Sequence, residues 1–213
     1  AGVAPTAEQA LVDSRHLFND WHGFDNDRIK VMLGPHAPYT CPDEYMKKAD
    51  LSHDLGRAIH IHLCETKGEV ENVIKATGKN PIAHFNDLGV FDTGCVAAHG
   101  FHLTDEDLDI MKSQKRGVAH NPQSNLKLAS GIADVPAMLA KGITVAGTDG
   151  SASNNNADML EEVRLAATLH KATHFDPKAI PAHQALQLGT VEGAKVLDYN
   201  DLGLIKEGYR ADL

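Results

Sequence analysis

Residues 58–66 read AIHIHLCET, two histidines two positions apart in an otherwise apolar run that ends on a carboxylate. In an extended strand, side chains alternate between faces, so His60 and His62 look one way while Ile59, Ile61 and Leu63 cover the other. A buried strand carries such a polar pair only where other segments supply partners for it. Four more stretches share this build: RIKVMLGPHAP (28–38), TGCVAAHGFH (93–102), KRGVAHNPQSN (115–125) and KGITVAGTDGSASN (141–154). Each starts apolar and ends polar or rich in Gly and Pro, and with 57–65 they read as five short strands.

The segments between them read as helices. TCPDEYMKKADLSHDLG (40–56) has Pro42 near a helix start and Gly56 as a stop, and LTDEDLDIMKSQKRG (103–117) has Thr104 as N-cap, acids in its first turn and bases near its end. In NNADMLEEVRLAATLHKAT (155–173), Met159, Leu160, Val163, Ala166, Ala167 and Leu169 form one apolar stripe. Repeated βα units of about thirty residues imply parallel strands flanked by helices, an α/β fold.

A doubly wound sheet and a (β/α) barrel both satisfy this order. No Gly-x-Gly-x-x-Gly follows any of the five strands, which removes the main support for a dinucleotide-binding sheet. The barrel gains from the strand ends: His36, His62 with Glu65, His99, His120 with Asn121, and Asp149 each stand at a C-terminal end. Barrel enzymes build their sites from those ends. Five strands do not close an eight-stranded barrel, which typically takes about 250 residues, so the chain reads as a piece of a larger protein. The last stretch, TVEGAKVLDYNDLGLIKEGYRADL (190–213), begins as a helix and then reads as turns and a strand stopping at Leu213.

Composition narrows the function classes. The 213 residues are 42% hydrophobic and 23% charged, ordinary for a globular domain. A formal charge of −9 and a pI near 5.8, without a basic run that carries interleaved aromatics, argue against nucleic acid as a partner. Cys41, Cys64 and Cys95 are odd in number, widely spaced and free of any CxxC pair, which suits a reducing compartment and disfavours a thiolate zinc site. Neither a signal peptide nor a run of 18 apolar residues is present, so no membrane partner and a cytoplasmic enzyme are expected. The one excess is histidine: thirteen, against six Phe, four Tyr and one Trp.

Position sorts these histidines. Imidazole and carboxylate both suit a borderline divalent metal such as zinc, and a catalytic site keeps one coordination position for water. His62 and Asp149 are candidate ligands, with Glu65 placed to take a proton from that water. Equally, His62 could be a satisfied core histidine and Asp149 a cap of the Gly-Ser-Asn segment that follows it. His99 could be a ligand, a base or an electrostatic group. His36, bracketed by Pro35 and Pro38, and His120 with Asn121, before Pro122, stand where a substrate would be contacted. His16, His22, His53, His84, His170, His174 and His183 fall in helical or irregular segments and read as surface residues.

The motifs GPHAPYTC (34–41), HIHLCET (60–66), AAHGFHLT (97–104), VAHNPQSNLKLASG (118–131), GTDGSASNNNADMLEEVRLA (147–166) and GLIKEGYRADL (203–213) cover nearly the whole chain. In this order the sequence resembles the amidohydrolase superfamily, in the branch of metal-dependent deaminases and chlorohydrolases that includes methylthioadenosine/S-adenosylhomocysteine deaminases. The resemblance implies a partial (β/α)8 TIM barrel, about strands four to eight, over residues 1–197, with 198–213 beginning the return to a small flanking β domain. It implies one divalent ion, zinc first with iron or manganese as alternatives, held in part by His62 and Asp149. Glu65 would move the proton, His99 would polarise the attacking water, Asp149 would help orient it, and His36 would contact a nucleoside or N-heterocycle substrate. A homo-oligomer is left open by the sequence.

The resemblance has a gap. No H-x-H stands ahead of GPHAPYTC, although the family takes two metal ligands from such a pair on its first strand. The 213 residues alone therefore hold at most half a metal shell and are expected to be inactive. Guanine, triazines and other N-heterocycles remain alternative substrates, and a non-catalytic fragment or binding module remains an alternative role. A phosphate-binding barrel finds only KLASG (127–131) as a weak Gly-containing loop.

Overall fold

The computed structural model describes residues 4–48, 55–114 and 116–212. Four strands, β1 (Ile59–Leu63), β2 (Cys95–His99), β3 (Arg116–Ala119) and β4 (Thr144–Ala146), form one parallel sheet in the order β1-β2-β3-β4. Strands adjacent in sequence are adjacent in space throughout. A doubly wound sheet would reverse its order at a switch point; this one does not, and it is a section of a (β/α) barrel wall.

Alternation in β1 follows its sequence. Ile59, Ile61 and Leu63 are buried, whereas His60 is exposed and His62 half-buried. Burying each aliphatic side chain is worth roughly 1.5–3 kcal/mol. A one-residue slip would exchange the three with the histidines, so the register that presents His60 and His62 to the concave face is strongly set.

The segment 28–38 is not a full strand. Leu33 makes one isolated parallel bridge to Ile59, and the main chain of β1 donates from His60 N to Leu33 O (2.8 Å) and from His62 N to His36 O (3.1 Å). Pro35 lies between these two contacts and has no N–H to extend a ladder. The expectation of five strands thus becomes four strands and a bridged edge segment.

Helices flank the strands: α1 (Ala7–Trp21), α2 (Asp43–Lys48), α3 (Lys67–Thr77), α4 (Pro81–Asp87), α5 (Asp105–Ser113), α6 (Pro122–Leu128), α7 (Val135–Ala140), α8 (Ser151–Asn154), α9 (Met159–His174), α10 (Ala182–Gln187) and α11 (Gly193–Val196), with a π-helical turn at Leu188–Glu192. Thr104 caps α5 as expected, within a capping box closed by Asp107. Pro42 precedes α2, while part of the segment leading to Gly56, including His53, lies outside the described residues. Among the described residues no helix is long and apolar enough to cross a membrane.

Two expectations hold only in part, for physical reasons. On α9, Ala166 is buried and Val163 and Ala167 pack against the core as the stripe implies, but Leu160 is 70% exposed and Glu162 and His170 are buried beside Ala166, drawn inward by polar partners on neighbouring elements. Residues 198–212 contain turns and no strand. There the chain closes on itself, with Arg210 N donating to Asp201 O (2.9 Å) and Arg210 Nε to Asp201 Oδ2 (2.6 Å), and docks on the start of the chain through Tyr199 Oη donating to Arg28 O (2.7 Å). Gly203, at φ +82°, passes so close to the π-helical turn that a Cβ would lie 2.6 Å from Val191 N.

Candidate active site

A cavity of about 1510 Å³ opens on the concave face of the sheet. Alternate strand residues line it: His60 and His62 from β1, Val96 and Ala98 from β2, Ala119 and Asn121 at the end of β3, and Asp149 past β4, with His36 on the edge segment. Strand periodicity and parallel register therefore bring residues distant in sequence onto one surface.

His62 is held by main chain. Its Nδ1 lies 2.6 Å from the carbonyl oxygen of His36, so Nδ1 carries the hydrogen and donates it, which leaves the lone pair on Nε2. A metal-ligating histidine is usually oriented by such a bond from its second nitrogen. The His36 ring packs against that of His62 with centroids 4.9 Å apart and pairs through Nδ1 with Thr40 Oγ1 at 2.8 Å. Burial, then the neighbouring His62, holds the His36 imidazole below its ordinary value.

Three strand ends adopt left-handed backbone at residues other than glycine: Cys64 (φ 56°), His99 (φ 80°) and Asp149 (φ 73°). Such conformations cost on the order of 1–3 kcal/mol each and persist where surrounding contacts impose them. At Cys64 the contact is the carboxylate of Glu69, 7% exposed, which accepts from the N–H groups of Cys64 (2.8 Å) and Glu65 (3.0 Å). Glu65 projects from this pinned backbone, with Oε2 3.6 Å from His99 Nε2 and Oε1 accepting from Ser130 Oγ at 3.4 Å. His99, 1% exposed, stacks on His62 with ring centroids 5.3 Å apart. Burial lowers its pKa, opposed by the carboxylates of Glu65 and Asp149.

Asp149 accepts from Ser124 Oγ on Oδ2 (2.5 Å) and from Gly150 N on Oδ1 (2.6 Å). Burial opposes its ionisation, yet these two bonds, together with the neighbouring His99 and a hydrogen bond from Ser153, hold the carboxyl below its usual range. Its contact with the N–H of the adjacent Gly150 coexists with a place in the cavity.

His120 is not part of this arrangement. Ala119 and Asn121 face the cavity, so alternation sends His120 to the helix side, where its ring sits 5.4 Å from that of His170. Both are buried, and none of their four ring nitrogens has a hydrogen-bond partner. Burial pushes His120 down to about 3 and His170 to about 4. His170 is therefore a core residue and not the surface histidine suggested by its helical position.

The structure thus brings together His36, His62, Glu65, His99, Asn121 and Asp149, and leaves out His120. Ser124, Asn125 and Glu69 stand behind the group and were not singled out from the sequence. Only Glu69 carried a local signal, the Thr66-x-x-Glu69 capping pattern. Among the described residues no three His, Cys, Asp or Glu side chains are placed to hold a metal ion. His62 and Asp149, sharing the cavity with a free imidazole nitrogen and an ionised carboxylate, fit part of a zinc shell.

Residues 6–213 match the model of the amidohydrolase family. Over its full length the chain is 51% identical to a 5-methylthioadenosine/S-adenosylhomocysteine deaminase of Syntrophomonas wolfei, of which it covers 50%. A crystal structure of an adenosine deaminase from Xanthomonas campestris with bound zinc superposes on the whole chain with a TM-score of 0.93 at 34% identity, and 48% of that protein is covered. A zinc complex of an atrazine chlorohydrolase from Arthrobacter aurescens superposes on 97% of the chain with a TM-score of 0.87 at 25% identity, and 46% of it is covered. The chain spans about half the length of the curated relatives that it matches.

Proposed function

The chain belongs to the amidohydrolase family, and on that premise we propose that the enzyme containing it is a zinc-dependent hydrolytic deaminase of adenosine-like compounds of the methylthioadenosine/S-adenosylhomocysteine type. The observation that carries the reading is the pairing of His62 with Asp149 in one cavity, with the second nitrogen of His62 already committed to the carbonyl of His36. The identity to the Syntrophomonas deaminase supports the substrate class. The three cysteines are free and buried, which fits a reducing, cytoplasmic setting.

In this reading His62 Nε2 and the Asp149 carboxylate supply part of the zinc shell, and the remaining ligands come from the portion of such enzymes outside this chain. Zinc, when bound, brings the pKa of its water to about 7 and so makes a nucleophile available at neutral pH. Glu65 accepts one proton as water adds to the ring carbon that bears the exocyclic amine and passes it to the adjacent ring nitrogen. The hydroxyl proton of the adduct is then carried to the amine as the C–N bond breaks, so ammonia leaves and a carbonyl stands in place of the amine. His99 donates from Nε2 toward the incoming oxygen, and Asn121 and His36 line the approach of the heterocycle.

Ammonia release by the full-length enzyme from a panel of S-adenosylhomocysteine, methylthioadenosine, adenosine, guanine and a chlorotriazine tests the proposal. Turnover is expected on the first three. Ammonia from guanine alone, or chloride from the triazine, would keep the hydrolytic chemistry and overturn the substrate class. No hydrolysis of any of them by zinc-loaded enzyme would overturn the function.

A further inference from the structure

We propose that the start of α6 is a two-pronged clamp on the site, in which Ser124 sets the orientation of the Asp149 carboxylate and Asn125 sets which nitrogen of His99 carries the proton. The consequence for rate rests on the deaminase reading above, whereas the state of the His99 ring can be read without substrate.

The sheet explains how one helix reaches both groups. α6 leaves the end of β3, which lies between β2 and β4. His99 ends β2, and Asp149 follows β4 by three residues. Ser124 and Asn125 are consecutive, so their side chains diverge by about 100° around the helix and reach the strands on either side. Ser124, fully buried, donates from Oγ to Asp149 Oδ2 at 2.5 Å. Asn125, 1% exposed, places Nδ2 3.1 Å from His99 Nδ1, itself on a ring that is 1% exposed.

The clamp has its own anchor. Glu162, buried on α9, accepts from the main-chain N–H of Gln123 at 3.2 Å and from the side-chain amide of Asn154. Asn154 also donates to Thr148 O at 2.8 Å, and Gln123 Nε2 donates to Asn154 O at 2.8 Å. One carboxylate therefore ties the first turn of α6 to the residue just before Asp149. This explains why α9 turns Glu162 inward where an apolar stripe would place a leucine.

The proton position on His99 follows from both of its nitrogens. An amide nitrogen only donates, so Nδ1 accepts from Asn125 and the hydrogen of the neutral ring resides on Nε2. At the other end Nε2 faces Glu65 Oε2 at 3.6 Å, where an N–H is attracted by the carboxylate and a lone pair would be repelled. Turning the Asn125 amide over would bury an NH2 with two unmade bonds in place of the single unpartnered Oδ1. His99 is thereby fixed as a donor and cannot take the proton of the attacking water, which leaves that duty to Glu65. Ser124 and Asn125 are positioning residues.

The test is 15N NMR of the imidazole nitrogens in full-length, zinc-loaded enzyme, with the His99 signals identified by their loss in His99→Gln. The wild-type spectrum should show a bare Nδ1 and a protonated Nε2. The reverse pattern would overturn the Asn125 prong, whatever any variant does. Asn125→Asp replaces the donor by an acceptor and should move the proton to Nδ1, with kcat falling roughly 10- to 100-fold, KM little changed and zinc content intact. Retention of both the ring pattern and the rate in Asn125→Asp would also overturn it. For the other prong, zinc retention against a chelator should weaken by roughly 10- to 100-fold in Ser124→Ala and recover in Ser124→Thr. Unchanged retention in Ser124→Ala would overturn it. The expected ring pattern in an enzyme that deaminates nothing would support the Asn125 prong and count against the deaminase reading, so the two fail separately.

Discussion

His62 Nδ1 lies 2.6 Å from the main-chain carbonyl oxygen of His36. The two residues are 26 apart in sequence, and the bond joins the irregular edge segment to the first regular strand. It anchors the ring through a backbone atom that any side chain at position 36 would keep, while the His36 ring adds a contact with centroids 4.9 Å apart. The His36 ring lines the cavity in its own right.

This division predicts different outcomes for two alanine variants of the full-length enzyme. His62→Ala removes a proposed ligand and should lower zinc content and turnover together. His36→Ala keeps the carbonyl that orients His62, so zinc content should stay near that of wild type while KM rises. Metal analysis alongside steady-state kinetics checks both. Loss of zinc in His36→Ala with retention in His62→Ala would reverse the two roles.

The buried pair His120 and His170 predicts an acid-sensitive core. Both are held neutral, with pKa values of about 3 and about 4 in the folded chain, against roughly 6.5 when unfolded. Between those limits the unfolded chain binds more protons, so stability is lost as pH falls from about 6.5 toward about 4 and then about 3, and these two groups add no slope above 6.5. His120 faces His170 and His99, and His170 faces His174, Lys171 and the opposing carboxylate of Asp134. Buried Glu69, Asp107 and Glu162 have raised pKa values and act with the opposite sign. The comparison is therefore between wild type and His170→Gln: denaturant midpoints at pH 7, 6 and 5 should decline less steeply in the variant. Parallel declines would show that His170 does not contribute.

A third prediction concerns the 213 residues made alone. Two proposed ligands, His62 and Asp149, are fewer than the three protein ligands of an ordinary catalytic zinc site. Equilibrium dialysis should find weak zinc binding, and no ammonia should be released from S-adenosylhomocysteine. Stoichiometric, tight zinc with turnover would mean that residues other than those assigned here complete the site.

The parts of this site that were legible in the sequence are those governed by local periodicity. Alternation in 59–63 and the Gly- and Pro-rich strand ends placed His62, Glu65, His99 and Asp149 at C-terminal ends, and parallel pairing gathers those ends. The same rule, applied to 119–121, separates His120 from Asn121, because adjacent strand residues face opposite ways; treating the two as one substrate-contacting unit overlooked it. Pro35 likewise interrupts the ladder beside β1 between Leu33 and His36, where the sequence suggested a continuous strand. What alternation and hydropathy could not reveal is the supporting layer. Ser124 and Asn125 look like ordinary polar residues of a helix start, and Glu162 and His170 look like the wet face of α9. Their burial depends on partners far away in sequence, Asp149, His99, Gln123 and His120, which only the tertiary structure identifies.

The central claim, a deaminase site in which Glu65 carries the proton, is tested most directly by ammonia release from S-adenosylhomocysteine by full-length wild type and Glu65→Gln at equal zinc content. Glu65 is assigned no metal, so the variant should retain its zinc, while the loss of a positioned proton carrier should slow turnover by roughly 10²- to 10⁴-fold. Near-normal ammonia release from zinc-loaded Glu65→Gln would contradict the account.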